Sequence, residues 1–265
     1  MTQENNSIKH IIWDLSGTIV KATTKKIPVK KRTDAALFFY LWGATKKQST
    51  LVKQALAILH QIKVPSYKNY AHVLLSNGQL VPPIVSAWLA GKYSSTEIIT
   101  KAIQYSNSLL DHKLISKQNQ IKIKRLFSTG FDPYIIAKSM SVIRQSLKLI
   151  KACSHAKRTN LYILSNWDKE SFDLLCTLPY AQNILKYFNS DNIAISGQLG
   201  LLKPNTTMYS FLLNTYKLRP EECLFIDDQQ ENLDSAQKLG IHGYHYNQLK
   251  AHLLYAELQR HRIIP

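Results

Sequence analysis

A parallel β-sheet with helices on both faces, and an all-helical segment inserted after its first strand, is the α/β architecture that this 265-residue sequence predicts. Two observations carry it. Short, almost wholly apolar runs alternate with stretches whose apolar residues recur at a helical spacing, which is the signature of buried parallel strands joined by crossover helices. Charge is also segregated: residues 21–150 hold 21 Lys/Arg against four acidic residues, and the rest of the chain holds 13 of each. The chain reads as a basic insert in a neutral frame.

The first strand is "HIIWD" (10–14), which ends on Asp14 and breaks at Ser16-Gly17. The insert follows, with helix-like stretches "LVKQALAILHQI", "VPPIVSAWLAG", "SSTEIITKAIQYSNSLL" and a long one from Pro133 to about Ala152. Ser95 or Thr96 is the expected N-cap of the third, and Gly91 the stop of the second. The frame then resumes with strand "LYILS" (161–165), helix "DKESFDLLCTL", strand "IAIS" (193–196) and helix "NTTMYSFLLNTYKL". Strand "CLFID" (223–227), helix "QENLDSAQKLG" and a last strand "GYHY" (243–246) complete it. The expected domains are a core of residues 1–20 and 151–265 and a basic helical cap of residues 21–150.

An apolar content of 45% supplies a packed core, and no apolar run approaches the ~18 residues that cross a bilayer. The polar start "MTQENNSI" is unlike a signal peptide, so a cytoplasmic location is the expectation. Cys153, Cys176 and Cys223 are odd in number and far apart, which points to buried free thiols rather than a disulfide framework or zinc site. A net charge of +17, all of it in the insert, favours anionic partners: a phosphorylated small molecule, nucleic acid or another polyanion. Lysines on helices also commonly serve only to face water.

Polar residues gather where strands stop: Asp14, then Ser165-Asn166, then Asp227-Asp228. In open parallel sheets ligands collect outside these carboxyl ends. Each cluster alone is the usual chemistry of a turn or helix cap, but adjacent carboxylates after an apolar strand repel unless a cation or donors neutralise them. In order along the chain, "IIWDLSGTIV", "LYILSN", "SGQLGLLKPNTTMY" and "FIDDQQENLDSAQKLG" resemble the four motifs of the haloacid dehalogenase-like (HAD-like) hydrolase superfamily. The Asp-Asp form of the fourth and Asn232 resemble a branch that includes sugar-phosphate phosphatases and the phosphatase domain of soluble epoxide hydrolases.

The resemblance implies a Rossmann-like core, a helical cap and a magnesium-dependent phosphatase. Asp14 would be the nucleophile that forms an aspartyl-phosphate. Magnesium would be held by Asp14, the backbone carbonyl of Ser16 and Asp228, with Asp227 assisting, all hard oxygen ligands. Ser165 and Lys203 would bind phosphoryl oxygens and stabilise transition-state charge. Ser16, Gly17, Thr18 and Asn166 would complete the phosphate site, with Thr18 fixing the turn, Gly17 permitting the sharp exit and Asn232 orienting the acidic loop.

Ser16 departs from the pattern, because the superfamily's phosphatases carry there a second Asp that serves as general acid and then base. A serine hydroxyl does that poorly, and positioned acid–base catalysis is worth roughly 10²–10⁴ in rate. Three readings follow: a phosphatase favouring good leaving groups, related chemistry such as dehalogenation or phosphonoacetaldehyde hydrolysis, or a catalytically weak relative whose basic cap binds nucleic acid or another polyanion. His60, His72, His112 and His155 lack ligand spacing. Trp42, Trp88, Tyr67, Tyr70 and Tyr93 fit a cap core or pocket lining.

Overall fold

The structure, a computed structural model, describes residues 7–27, 31–43, 45, 48–65, 73–75, 78–156 and 159–265. Five strands form one parallel sheet in the order β5-β4-β1-β6-β7. They are β1 (His10–Trp13), β4 (Asn160–Ser165), β5 (Ile193–Ile195), β6 (Cys223–Asp227) and β7 (His242–His245). All five match the strands expected from the sequence to within one residue at each end. Side chains alternate between two cores: Ile11, Trp13, Ile163 and Ile226 face one, and Ile12, Leu164 and Phe225 face the other. Both faces are therefore covered, as a parallel sheet requires.

Helices α11 (Thr206–Tyr216) and α12 (Gln230–Gln237) close the second face through Met208, Tyr209, Leu212, Leu233 and Ala236. The first face is covered by α7 (Arg144–Ser154), α8 (Lys169–Thr177) and α13 (Ala251–Arg260), which bury Ile150, Cys153, Phe172, Leu254 and Leu258. Short helices α9 (Pro179–Leu185) and α10 (Ser196–Leu199) flank β5.

A second, two-stranded sheet sits where the chain leaves and re-enters this frame: β2 (Val20–Ala22) pairs antiparallel with β3 (Met140–Val142). Between them lie α1 (Ala36–Leu41), α2 (Thr50–Gln61), α3 (Pro83–Leu89), α4 (Ser95–Asp111), α5 (Lys117–Gly130) and α6 (Pro133–Ser139). Leu59, Ile98, Ala102, Leu126 and Phe127 pack these helices together, and their apolar core is continuous with that of the sheet's first face.

Two local expectations are corrected. The helix expected from Pro133 to about Ala152 is interrupted, because Met140–Val142 pairs with β2 and Ile143 N–H donates to the Ile19 carbonyl (2.9 Å). Tertiary pairing outweighs helical periodicity there. The N-cap of α4 is Ser94, one residue before the expected positions: its hydroxyl accepts from Glu97 N–H while Glu97 accepts from Ser94 N–H, a reciprocal capping box. Ser95 instead turns inward, where its hydroxyl accepts from the Trp88 indole (3.2 Å). Gly91 ends α3 as expected, with φ +68°.

Cys153, Cys176 and Cys223 are free, the first and last buried and Cys176 partly so. No described helix is long and apolar enough to cross a membrane. Tyr67, Tyr70 and His72 lie outside the described residues.

Candidate active site

Strand register assembles the site. Trp13 pairs with Ile163 on one side and Ile226 on the other, so β1, β4 and β6 end side by side in the middle of the sheet. Asp14 N–H donates to the Ile226 carbonyl (2.9 Å), carrying the strand geometry one residue further. The Asp14 carboxylate thereby meets Ser165 and Asp227. Its Oδ1 accepts from Ser165 Oγ at 3.0 Å and from Lys203 Nζ at 2.6 Å, and Lys203 Nζ also donates to Asp227 Oδ2 at 2.7 Å.

Lys203 is only 1% exposed, so it is no solvated loop lysine. Asn166 holds its backbone from both sides: Asn166 Nδ2 donates to the Lys203 carbonyl (2.8 Å) and Lys203 N–H donates to Asn166 Oδ1 (2.9 Å). Asp227 is fully buried and its oxygens are well supplied, by Gln229 N–H on Oδ1 (2.8 Å) and by Asn232 Nδ2 on Oδ1 and Oδ2 (3.1 and 2.9 Å). Asn232 thus fastens the acidic loop through Asp227. The hydroxyl of buried Tyr209 in turn donates to the Asn232 carbonyl (2.8 Å).

Asp228 differs from its neighbour. Its Oδ1 is buried without a hydrogen-bond partner among the described residues. Burial, and then the nearby charges of Asp14 and Asp227, push its pKa well above the usual carboxylate range. Asp14 is pushed up to about 6, first by burial and then by Asp227, although Lys203 and Ser165 pull the other way. Burial works against the Lys203 ammonium, yet Asp14 and Asp227 hold its pKa above the ordinary lysine value. Three carboxylates face one ammonium, so negative charge is in excess.

That excess suits a cation. Asp14, Asp227 and Asp228 each offer an oxygen, and these atoms lie within 4.8 Å of one another. The donor set is all oxygen, which matches a hard divalent ion, and the orphaned Asp228 Oδ1 is the group such an ion would satisfy. Gly17 closes the same corner with φ +87°, and a Cβ there would lie 2.3 Å from Asp228 Oδ2. Only glycine permits this approach.

A cavity of about 970 Å³ opens above the strand ends, with Asp14, Ser16, Gly17, Asn166, Lys203 and Asp228 on its wall. Thr18, Ser165 and Asp227 are not on the wall. Thr18 is fully buried, and its carbonyl accepts a hydrogen bond from Ser146 Oγ, which also lies 2.7 Å from Tyr246 OH. The wall also includes Lys21, His245, Tyr246 and Lys250. Spacing gave no hint of these four. The end of the "GYHY" strand was visible, however, and its position at a carboxyl end of the sheet was the signal available for His245 and Tyr246.

A family model described as haloacid dehalogenase-like hydrolase matches residues 8–240, nearly the whole chain. The chain belongs to that family of hydrolases. Among curated proteins, bifunctional epoxide hydrolase 2 of Rattus norvegicus is 30% identical over 103 residues, or 38% of this chain and 18% of that protein. Its Mus musculus counterpart is 31% identical over 103 residues with the same shares. The match therefore spans less than a fifth of these relatives' own length.

Solved structures agree on the fold. A HAD family enzyme of Bacteroides thetaiotaomicron, in complex with magnesium and inorganic phosphate, superposes with a TM-score of 0.56 at 16% identity, covering 91% of this chain and 95% of that one. A predicted HAD-like family hydrolase of Porphyromonas gingivalis gives 0.53 at 18% identity, covering 94% and 98%. At these identities the likeness speaks to architecture alone.

Proposed function

We propose that this hydrolase cleaves a phosphate monoester with magnesium, through attack of Asp14 on phosphorus. The observation that carries the reading is the position of Asp14 at the end of the central strand and on the cavity wall, with Oδ1 fixed by Ser165 and Lys203. Asp14, the Ser16 carbonyl and Asp228 would hold the ion, with Asp227 anchored behind them. Magnesium, when bound, offsets the repulsion between the carboxylate and the phosphate.

An oxygen of Asp14 forms the bond to phosphorus as the ester oxygen leaves with its electron pair, giving an aspartyl-phosphate and an alkoxide that takes up a proton. Water then attacks phosphorus, releases inorganic phosphate and restores the carboxylate. Lys203, held in place by Asn166, supplies positive charge beside the transferring group. Ser16 offers a hydroxyl where a carboxylic acid would protonate the leaving oxygen, so good leaving groups are favoured.

We place residues 21–150 as a cap over a core of residues 1–20 and 151–265, in the helical-cap branch of the family. The pairing of β2 with β3 at the crossing points supports an insert at this place, and α7, already packed on the sheet's first face, sets the return to the core near residue 143. A cytoplasmic setting is consistent with the free thiols. A second reading, a polyanion-binding role for the insert, is favoured by one observation: of its basic residues only Lys21 reaches the cavity wall among those described.

Turnover of p-nitrophenyl phosphate and of a sugar and nucleotide phosphate panel, with and without magnesium, tests the first reading. Asp14→Asn should abolish turnover. Ser16→Asp should accelerate esters of poor leaving groups by up to ~10²–10⁴ while changing p-nitrophenyl phosphate little. A wild type silent on every ester, combined with steeply salt-dependent nucleic-acid binding, would transfer the function to the insert.

A further inference from the structure

The insert's charge invites the expectation of a highly anionic substrate, yet of its described basic residues only Lys21 lines the cavity. Every described residue that positions 41–89 contribute to the cavity wall is apolar or glycine. Leu41 and Trp42 come from the end of α1, Leu74 and Leu75 from the segment before α3, and Val85 and Trp88 from α3 itself. The Trp88 indole N–H is committed to Ser95, and the Trp42 ring packs on Trp167 at 4.4 Å between centroids. These groups leave a ligand little to hydrogen-bond.

Polar groups on the wall lie instead at the carboxyl end of the sheet, around Asp14, Lys203 and Asp228, along and just after β2, with Lys21, Thr23 and Thr24, and in the stretch after β7, with Asn247, Gln248 and Lys250. Lys21 Nζ donates to Gln248 Oε1 at 2.8 Å. The cavity thus has a charged pole and an apolar wall. Its volume of about 970 Å³ far exceeds what a phosphate group fills and lies near the top of the ~300–1,000 Å³ range of small-molecule sites.

We infer that the substrate is amphipathic: a phosphate monoester whose alcohol carries an extended apolar body, held against the wall formed by Leu41, Trp42, Leu74, Val85 and Trp88. This rests on the phosphatase reading above and narrows it. Sugar phosphates, whose hydroxyls need partners, are poorly matched to such a wall, because polar groups buried without hydrogen bonds are costly. The lysines of α4 and α5 take no part in selection.

The test is a series of 4-alkylphenyl phosphates, from methyl through butyl to octyl, assayed with magnesium below their micelle concentrations. The phenol leaving group is nearly constant along the series, so chain length reports on binding and not on the Ser16 chemistry. Full burial sets a ceiling of about fourfold per methylene, and KM should fall at least tenfold from methyl to octyl. Leu74→Asn and Leu41→Asn, both at half-buried positions, should flatten the series, and Leu74→Met should restore it. Reversing the exposed charges of Lys117, Lys122 and Arg125 to Glu should leave it unchanged.

Turnover with a KM indifferent to chain length overturns the inference and leaves the phosphatase reading standing. If no ester is cleaved, the phosphatase reading falls, and binding decides the inference. Alkylphosphonates of the same lengths are then titrated against the fluorescence of Trp42 and Trp88. A dissociation constant that tightens with length upholds the amphipathic site, and one that does not overturns it.

Discussion

Asp168 offers a direct test of how burial at the site's edge couples to pH. It caps α8 immediately after the Ser165-Asn166-Trp167 stretch, and its Oδ1 accepts from Ser171 N–H at 2.9 Å. Its Oδ2 accepts from the Ser171 hydroxyl, which itself accepts from the Trp167 indole. Burial pushes its pKa from 3.8 to about 6, and these hydrogen bonds offset only part of that. The folded state therefore binds the proton more tightly than the unfolded one. The stability this contributes is fully present below pH 3.8 and is lost as pH rises through 6.

At about 1.4 kcal/mol per unit, the gap of roughly two units corresponds to about 3 kcal/mol. Asp168→Asn keeps an oxygen for the Ser171 N–H and removes the ionisation. It also leaves the Ser171 hydroxyl without its acceptor, an offset of about 1 kcal/mol that does not vary with pH. Urea unfolding of both proteins from pH 4 to pH 7 separates the two effects. The variant should gain up to about 3 kcal/mol relative to wild type across that range, most of it between pH 4 and 6. A difference constant within about 0.5 kcal/mol would show that the carboxylate ionises in the fold as easily as in water, and the burial argument would fail.

Three further outcomes follow from the geometry. Lys203→Met should cost about 3–5 kcal/mol in urea unfolding without magnesium, because it leaves two buried carboxylates without their cation; a loss under about 1 kcal/mol would mean that the Lys203 charge does not hold the pair. Gly17→Ala forces a side chain into the left-handed region, at roughly 1–2 kcal/mol, and drives Asp228 from its place. Magnesium affinity, read by calorimetry, should therefore fall more than stability does, and unchanged affinity would remove Asp228 from the ion site. Asn166→Ala should lower kcat with a smaller effect on KM, because it frees the Lys203 backbone without removing its charge; a change confined to KM would make Asn166 a substrate contact instead.

How much was legible in the sequence varies with the range of the interaction. The five strands and the helices of the frame were readable because buried parallel strands and amphipathic helices impose their own periods on nearby residues. The polar residues at the strand ends were readable too, since an apolar run that stops on Asp14 or on Asp227-Asp228 is a local feature. Family resemblance supplied the proposed roles for these residues, and nothing in the spacing alone would have selected Lys203 from the chain's many lysines.

Other features depend on residues distant in sequence. Met140–Val142 leaves a helical pattern only because Val20–Ala22 lies beside it, and no window around residue 140 contains that strand. Asp227 and Asp228 are adjacent and chemically identical, yet one is supplied with hydrogen bonds by Lys203, Asn232 and Gln229 while the other keeps an orphaned oxygen beside Gly17. The insert's composition advertised positive charge, and the fold set its apolar residues toward the cavity. By itself the sequence determined the layered α/β fold and the chemistry available at its strand ends, because period and residue type act locally. Tertiary structure alone decided which carboxylate stands free and which face of the insert meets the cavity, because burial and pairing are set by neighbours far along the chain.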